Sequence, residues 1–588
     1  MAVRRGVVLI LVIIVLACLV SLAGVLALYL LIGREPTVAQ RSTLVLRVSG
    51  DLPEGGPDEG LGQFLPGTRQ PTLRGILENL RKAKVDPRIS GALVLPNGID
   101  TGYWAKLQEI HDAIIDFKRA NKFAVAFLEY GGDREYYVAT ACDRIFLLPS
   151  SPLNLTGLAM YELFLRGTLE KIGAYPDLMH IGDYKTAPNL YTEKGFTAAH
   201  QEMDESLNLD MYEQLVRGVA DGRKKGQNEV RTLLDQGPFL PEDALSAGLV
   251  DYAAYEDEIE DKVKADGHTF GPKIEADEYL RVSPGSVGLN RGPRIALLYI
   301  TGLINSGRSG IDPLNGPVAG SDTIVDSIHR IRDDGSIRAV VVRIDSPGGA
   351  STASDVIWRE LVLARDRKRD RPLVASMSDL AASGGYYVAM AAPTIVAEPG
   401  TLTGSIGIYG GKIVTSGTFA KLGANIASVS HGRNAEMNSA IRPYTPEERA
   451  KLEEQLRAFY IDFVDRVGQA RQMKAERVDE IAQGRVWTGR QAREIKLVDR
   501  LGGLDQAIAL AKEHAKIPRN QEVEIVTYPP RRSLYELLAA QFSGNDEAAR
   551  IGTWLGIRDR RALGIVASPL SLFRRGEPLA LMPFALLR

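Results

Sequence analysis

The stretch PLVASMSDLAASGGYYVAMAAPTIVAEP, residues 372–399, decides the fold. It reads as a buried apolar strand, a turn at Ser383, a short helix opening at Gly384 and a second apolar strand. An earlier stretch, FAVAFLEYGGDREYYVATACDRIFLLP at residues 123–149, has the same plan, and its Tyr136-Tyr137 stands 250 residues before Tyr386-Tyr387. The likeness continues on both sides. Upstream, residues 89–120 and 337–368 each read as strand, Gly-containing loop and amphipathic helix. Downstream, LNLTGLAM (153–160) matches GTLTGSIGI (400–408), and FLPEDALSAGLVDYAA (239–254) matches WTGRQAREIKLVDRLG (487–502). Four segments recurring in one order mark an internal duplication.

Strands alternating with helices predict an α/β fold with mainly parallel pairing in each copy. The expected organisation is a first domain over 43–280, a Gly/Pro/Ser-rich linker over 281–292, a second domain over 293–528 and a partly amphipathic C-terminal tail over 529–588. A chain of 588 residues is too long for one core, which agrees. Residues 6–32 carry no charge, enough to span a bilayer as a helix, so residues 1–36 are expected to be a cytoplasmic stub and a transmembrane anchor. Arg4 and Arg5 precede the span and orient the soluble part to the extracytoplasmic side of the cytoplasmic membrane. A net charge of −2 gives no signal for nucleic acid. The two cysteines, Cys18 and Cys142, support neither a disulfide framework nor a Cys-rich metal site. No metal and no cofactor is expected.

The chemistry concentrates in the second copy. In RIDSPGGAS, residues 343–351, Pro347 and the Gly348-Gly349 pair allow a turn that points backbone N–H groups into a cleft. Ser383 lies at the next strand-to-helix junction, where the N–H of Gly384 is free to join an oxyanion hole. The plain alternatives are an ordinary turn and a serine helix cap. A nucleophilic serine needs a base, and none of the seven histidines lies in either glycine loop. A desolvated lysine can serve. The duplication selects one: at the offset of 250, Lys185 in IGDYKTAPN faces Ala435 in HGRNAEMNS, while Ser383 faces Asp133. Each copy keeps one half of a Ser-Lys pair. Ser405 or Thr403, in PGTLTGSIGIYGG (399–411), is positioned to orient the lysine amine.

RIDSPGG, DLAASGGYYVA, TLTGSIGIYGG and IGDYKTAPNLYTEKGFT together resemble the signal peptide peptidase A family in its long, two-domain bacterial form. The resemblance covers nearly the whole chain. It implies tandem duplicated Clp protease/crotonase-like domains behind an N-terminal transmembrane helix, and a serine endopeptidase that digests cleaved signal peptides. It also implies Ser383 as nucleophile, Lys185 as general base, Ser405 as the lysine's orienting group, Gly384, Gly348 and Gly349 as the oxyanion loop, and a homotetramer. Two other readings remain at this point: a crotonase-like acyl-transfer enzyme, and an inactive membrane scaffold that presents peptides without cutting them.

Overall fold

The computed structural model describes residues 16, 35–55, 71–312, 315–368, 370–530, 577–583 and 586–587. The expected anchor over 6–32 and the amphipathic part of the tail lie outside them, apart from Leu16. Among the described residues no helix is long and apolar enough to cross a membrane.

Each copy is built on a parallel sheet made of near-continuous apolar strands, the pattern of strands covered on both faces. In the first copy six strands run side by side in the order Lys273–Glu275, Ser42–Gly50, Ile89–Ile99, Phe123–Leu128, Arg144–Leu147, Tyr252–Ala253. All five pairings are parallel. In the second copy the strands Glu524–Tyr528, Arg294–Thr301, Ile337–Ser346, Leu373–Ala382, Thr394–Ala397 and Arg500–Leu501 follow in the corresponding order. The agreement extends to single contacts. The Tyr136 hydroxyl donates to Leu249 O at 2.6 Å, and the Tyr386 hydroxyl donates to Leu497 O at 3.0 Å. Asp251 accepts from Ile145 N at 2.7 Å, and Asp499 from Ile395 N at 2.8 Å. In both copies a 26-residue helix, Ala198–Arg223 or Pro446–Arg471, starts at a threonine whose hydroxyl accepts a first-turn N–H.

The copies are joined by more than a linker. Residues Pro284–Val287 form a short 3₁₀ turn, with Val282 and Leu289 buried on either side. A third sheet mixes the two copies: Tyr175–Ile181 of the first lies antiparallel to Ile408–Val414 of the second through seven registered pairs, Ile408 opposite Ile181 to Val414 opposite Tyr175. The core of the first copy also takes in Ala382, Leu402 and Val486 of the second. Lys185 is four residues beyond Ile181, so this shared strand pair carries it into the second copy.

Candidate active site

Ser383 ends the strand Leu373–Ala382 and precedes the helix Gly384–Ala389. Its backbone sits at φ 54°, ψ −112°, and its side chain makes no helix-capping hydrogen bond. The cap alternative is therefore not what the hydroxyl does. Ser383 N donates to Gly404 O at 2.7 Å, and Ser383 O accepts from Tyr387 N at 2.8 Å, which fixes the turn from both sides. The hydroxyl points to Lys185, with Nζ 2.7 Å from Ser383 Oγ. The same Nζ lies 2.9 Å from Ser405 Oγ and 3.0 Å from Ser405 O. Two N–H groups of a neutral amine satisfy the two Ser405 oxygens and leave the lone pair for the Ser383 hydroxyl proton.

Burial makes that protonation state the stable one. Lys185, Ser383 and Ser405 are all 0% exposed. Loss of solvation holds the Lys185 ammonium well below the ordinary lysine range, and no charged group offsets it. Lys185 is clamped by backbone. Tyr184 N donates to Gln483 O at 2.9 Å, and Gly484, at φ +80°, packs so tightly that a Cβ there would lie 2.5 Å from Lys185 Cα. Ser405 N donates to Arg485 O at 2.7 Å. Thr403, the other candidate for orienting the amine, gives its hydroxyl to Ala381 O at 2.7 Å instead.

The glycine turn lies against the same helix end. Gly348, at φ +102°, has no room for a side chain: a Cβ would stand 2.7 Å from Gly384 N and 2.1 Å from Ala580 O. Gly348 N itself donates to Ser346 Oγ at 3.1 Å. Gly349 packs on Ile304 O. The Ala580 carbonyl thus sits between Gly348 and the start of the helix that carries Ser383. It belongs to the strand Leu579–Leu581, which runs antiparallel to Gly348–Ala350 with Ala580 opposite Gly349. On its other edge Leu579 pairs with Tyr409. Met582 N donates to Pro347 O at 2.9 Å, and Ser351 N to Pro578 O at 3.3 Å. This part of the tail packs on its own chain, in the groove beside the serine.

The profile of peptidase family S49 matches this chain twice, over residues 116–268 and 365–518. The first match contains Lys185 and the second contains Ser383 and Ser405. A chloroplastic serine protease SPPA of Arabidopsis thaliana is 35% identical over 511 residues, covering 85% of this chain and 73% of that protein. Protease 4 of Salmonella typhi is 30% identical over 506 residues, 82% of this chain and 80% of that protein. Protease 4 of Haemophilus influenzae is 29% identical over 467 residues, 77% of this chain and 74% of that protein. The chain belongs to peptidase family S49.

It is a serine endopeptidase of that family, built from two S49 copies. Its two halves are locked together beneath the site by charges that the sequence reading did not find. Arg343, 0% exposed, holds Glu54 of the first copy through two contacts of 2.9 Å and Glu109 at 2.6 Å. Burial, opposed by Arg343 and aided by Glu54, pushes the Glu109 carboxyl up to about 7. Lys106 of the first copy reaches Asp345 at 2.7 Å and Asp379 at 3.3 Å. Asp345 precedes the glycine turn and Asp379 precedes Ser383 by four residues, so both loops of the candidate site are braced by the first copy. Charged residues inside the apolar strands VVVRID and VASMSD were the available signal, since a buried charge requires a partner.

Proposed function

We propose that this S49 peptidase cuts apolar peptides, released signal peptides among them, with a Ser383–Lys185 dyad. The observation that carries the reading is the 2.7 Å approach of Lys185 Nζ to Ser383 Oγ, both fully buried and, among the described residues, with no anion acting on the lysine. Neutral Lys185 takes the Ser383 hydroxyl proton as Oγ attacks the peptide carbonyl. The oxyanion is held at the Gly384 N–H and the Gly348-Gly349 turn, where the Gly348 N–H must first leave Ser346 Oγ to take part. The carbon–nitrogen bond then breaks, and the Lys185 ammonium returns the proton to the leaving amine. Water, deprotonated by the same lysine, opens the ester and restores the serine. Ser405 keeps the amine aimed throughout.

The chain's own strand Leu579–Leu581 marks the path of the peptide. In this reading a substrate adds as an antiparallel strand between Gly348–Ala350 and Ile408–Val414, with a carbonyl where Ala580 O now lies. Leu579, Ala580, Leu581 and Met582 are at most 2% exposed there, which supports an apolar sequence preference. The tail must leave before a substrate enters. The reading further places the chain in the cytoplasmic membrane through residues 6–32, its soluble part extracytoplasmic and its subunits in a homotetramer.

The test is cleavage of a fluorogenic apolar peptide by the purified full-length chain, with the synthetic peptide EPLALMPF added in trans. Wild type should cut the substrate, Ser383→Ala should not, and EPLALMPF should inhibit competitively. Undiminished cleavage by Ser383→Ala overturns the dyad. Absence of competition overturns the strand-addition path.

A further inference from the structure

A second buried polar cluster lies beside the Lys185 segment, in the first copy. The helix Ala198–Arg223 sets His200 and Asp204 one turn apart on one face. Glu162, just after the short strand Met160–Tyr161, faces them. One ligand atom from each of the three lies within 4.8 Å of the other two. His200 Nε2 and Asp204 Oδ2 are 3.5 Å apart, on side chains 2% and 9% exposed. Among the described residues neither atom has a hydrogen-bond partner.

Two carboxyls and an imidazole face one another across this pocket. No lysine or arginine is among the groups acting on any of the three. An unpartnered buried polar atom is destabilising, which a bound ion would relieve. The rest of the pocket is built to hold the imidazole still. Phe164 and Phe196 pack edge-on against it, at ring-centroid distances of 5.9 and 5.0 Å. Asn189 stands 3.5 Å from His200 Nδ1. With its amide turned so that Oδ1 accepts from Nδ1–H, the Nε2 lone pair faces the carboxylates, the usual outer support of a metal-bound histidine.

We propose that Glu162, His200 and Asp204 bind a divalent transition metal of the zinc class as a three-ligand site. The sequence reading expected no metal; His200 and Asp204 are an i, i+4 pair, but Glu162 lies 38 and 42 positions before them, outside any local motif. Zinc bonds of about 2.0–2.2 Å put tetrahedral ligand atoms roughly 3.3–3.6 Å apart, which the His200–Asp204 pair already satisfies. Glu162, only partly buried, closes the remaining distance by a side-chain rotation. Two carboxylates neutralise the dication, and the imidazole selects against calcium and magnesium. The site would pin the 160–164 segment to the helix whose Glu202 pairs with Arg485 at 2.6 Å, next to Ser405.

The test uses the full-length chain, stripped with a chelator and titrated with Zn²⁺ by calorimetry and with Co²⁺ by visible absorption. The expected result is one strong site per chain, tetrahedral d–d bands with Co²⁺, and a rise in Tm on adding Zn²⁺. Asp204→Asn and Glu162→Gln should each weaken Zn²⁺ at least a hundredfold and abolish the Tm rise. Failure of wild type to bind Zn²⁺ would overturn the proposal, as would Zn²⁺ binding unchanged in both variants, or octahedral Co²⁺ bands. If either variant fails to fold, the wild-type Co²⁺ spectrum alone decides.

Discussion

Ser383 should store strain that glycine releases. Its φ of 54° with ψ of −112° lies outside the regions open to residues with a Cβ. Backbones held in such regions cost of the order of 1–3 kcal/mol. Ser383→Ala keeps the Cβ and the strain; Ser383→Gly removes both. Each loses the same hydroxyl contact with Lys185, so that loss cancels between the two variants. Glycine adds freedom to the unfolded chain, which costs it about 0.4–1 kcal/mol against alanine. The difference leaves Ser383→Gly ahead of Ser383→Ala by roughly 1 kcal/mol, and by no more than about 2.6 kcal/mol. Reversible urea unfolding of the full-length variants, followed by tryptophan fluorescence, measures it; Trp358 and Trp487 report from the second copy. Glycine less stable than alanine by the ordinary 0.4–1 kcal/mol would refute the reasoning, because the turn would then hold no strain. Neither variant should cut peptide. The strain has a use: the turn swings Oγ off the helix end, where it would cap, and toward Nζ.

Three other outcomes follow from the same geometry. With Lys185 proposed to act as the neutral amine, kcat/KM should rise with pH to a plateau and fall on the acid side as the amine takes a proton, the limb lying well below the ordinary lysine range; an acid limb near pH 10 in a pH–rate profile would contradict this. Ser405→Ala removes one of two oxygens that hold the amine, so kcat should drop about 10–100-fold, from a contact worth about 1.5–3 kcal/mol; unchanged kcat in a steady-state assay would remove Ser405 from the account. Arg343→Met strands Glu54 and Glu109 in the core and should cost about 3–5 kcal/mol in urea unfolding. Adding Glu54→Gln and Glu109→Gln should recover part of that; a cost under about 1 kcal/mol would show that the copies are held together elsewhere.

The duplication made much of this legible. The alternation of strands and helices and the mainly parallel pairing could be read because the apolar runs of the two copies align, and Tyr136 and Tyr386 then anchor equivalent helices. Lys185 and Ser383 stood out because each is missing from the other copy: Ala435 falls on an exposed stretch, and Asp133 instead accepts N–H groups of Thr156 and Gly157. What could not be read depends on contacts between copies. Lys106 is 239 residues from Asp345, and Glu54 is 289 from Arg343, distances over which no local pattern extends. The choice between Ser405 and Thr403 needed the strand Leu402–Gly404, whose alternation turns Thr403 to Ala381. The place of the tail strand Leu579–Leu581 beside Gly348 is a matter of strand pairing, which sequence leaves open.

The claim that one S49 copy activates the serine of the other is tested most directly by the rate at which a fluorophosphonate modifies Ser383 in wild type and in Lys185→Met, with the labelled residue identified by peptide mass spectrometry. The account predicts labelling at Ser383 in wild type and a rate about 10²–10⁴-fold lower in Lys185→Met, the usual span of general-base assistance, with Tm retained. Equal rates in the two proteins, or labelling at a different serine, would contradict it.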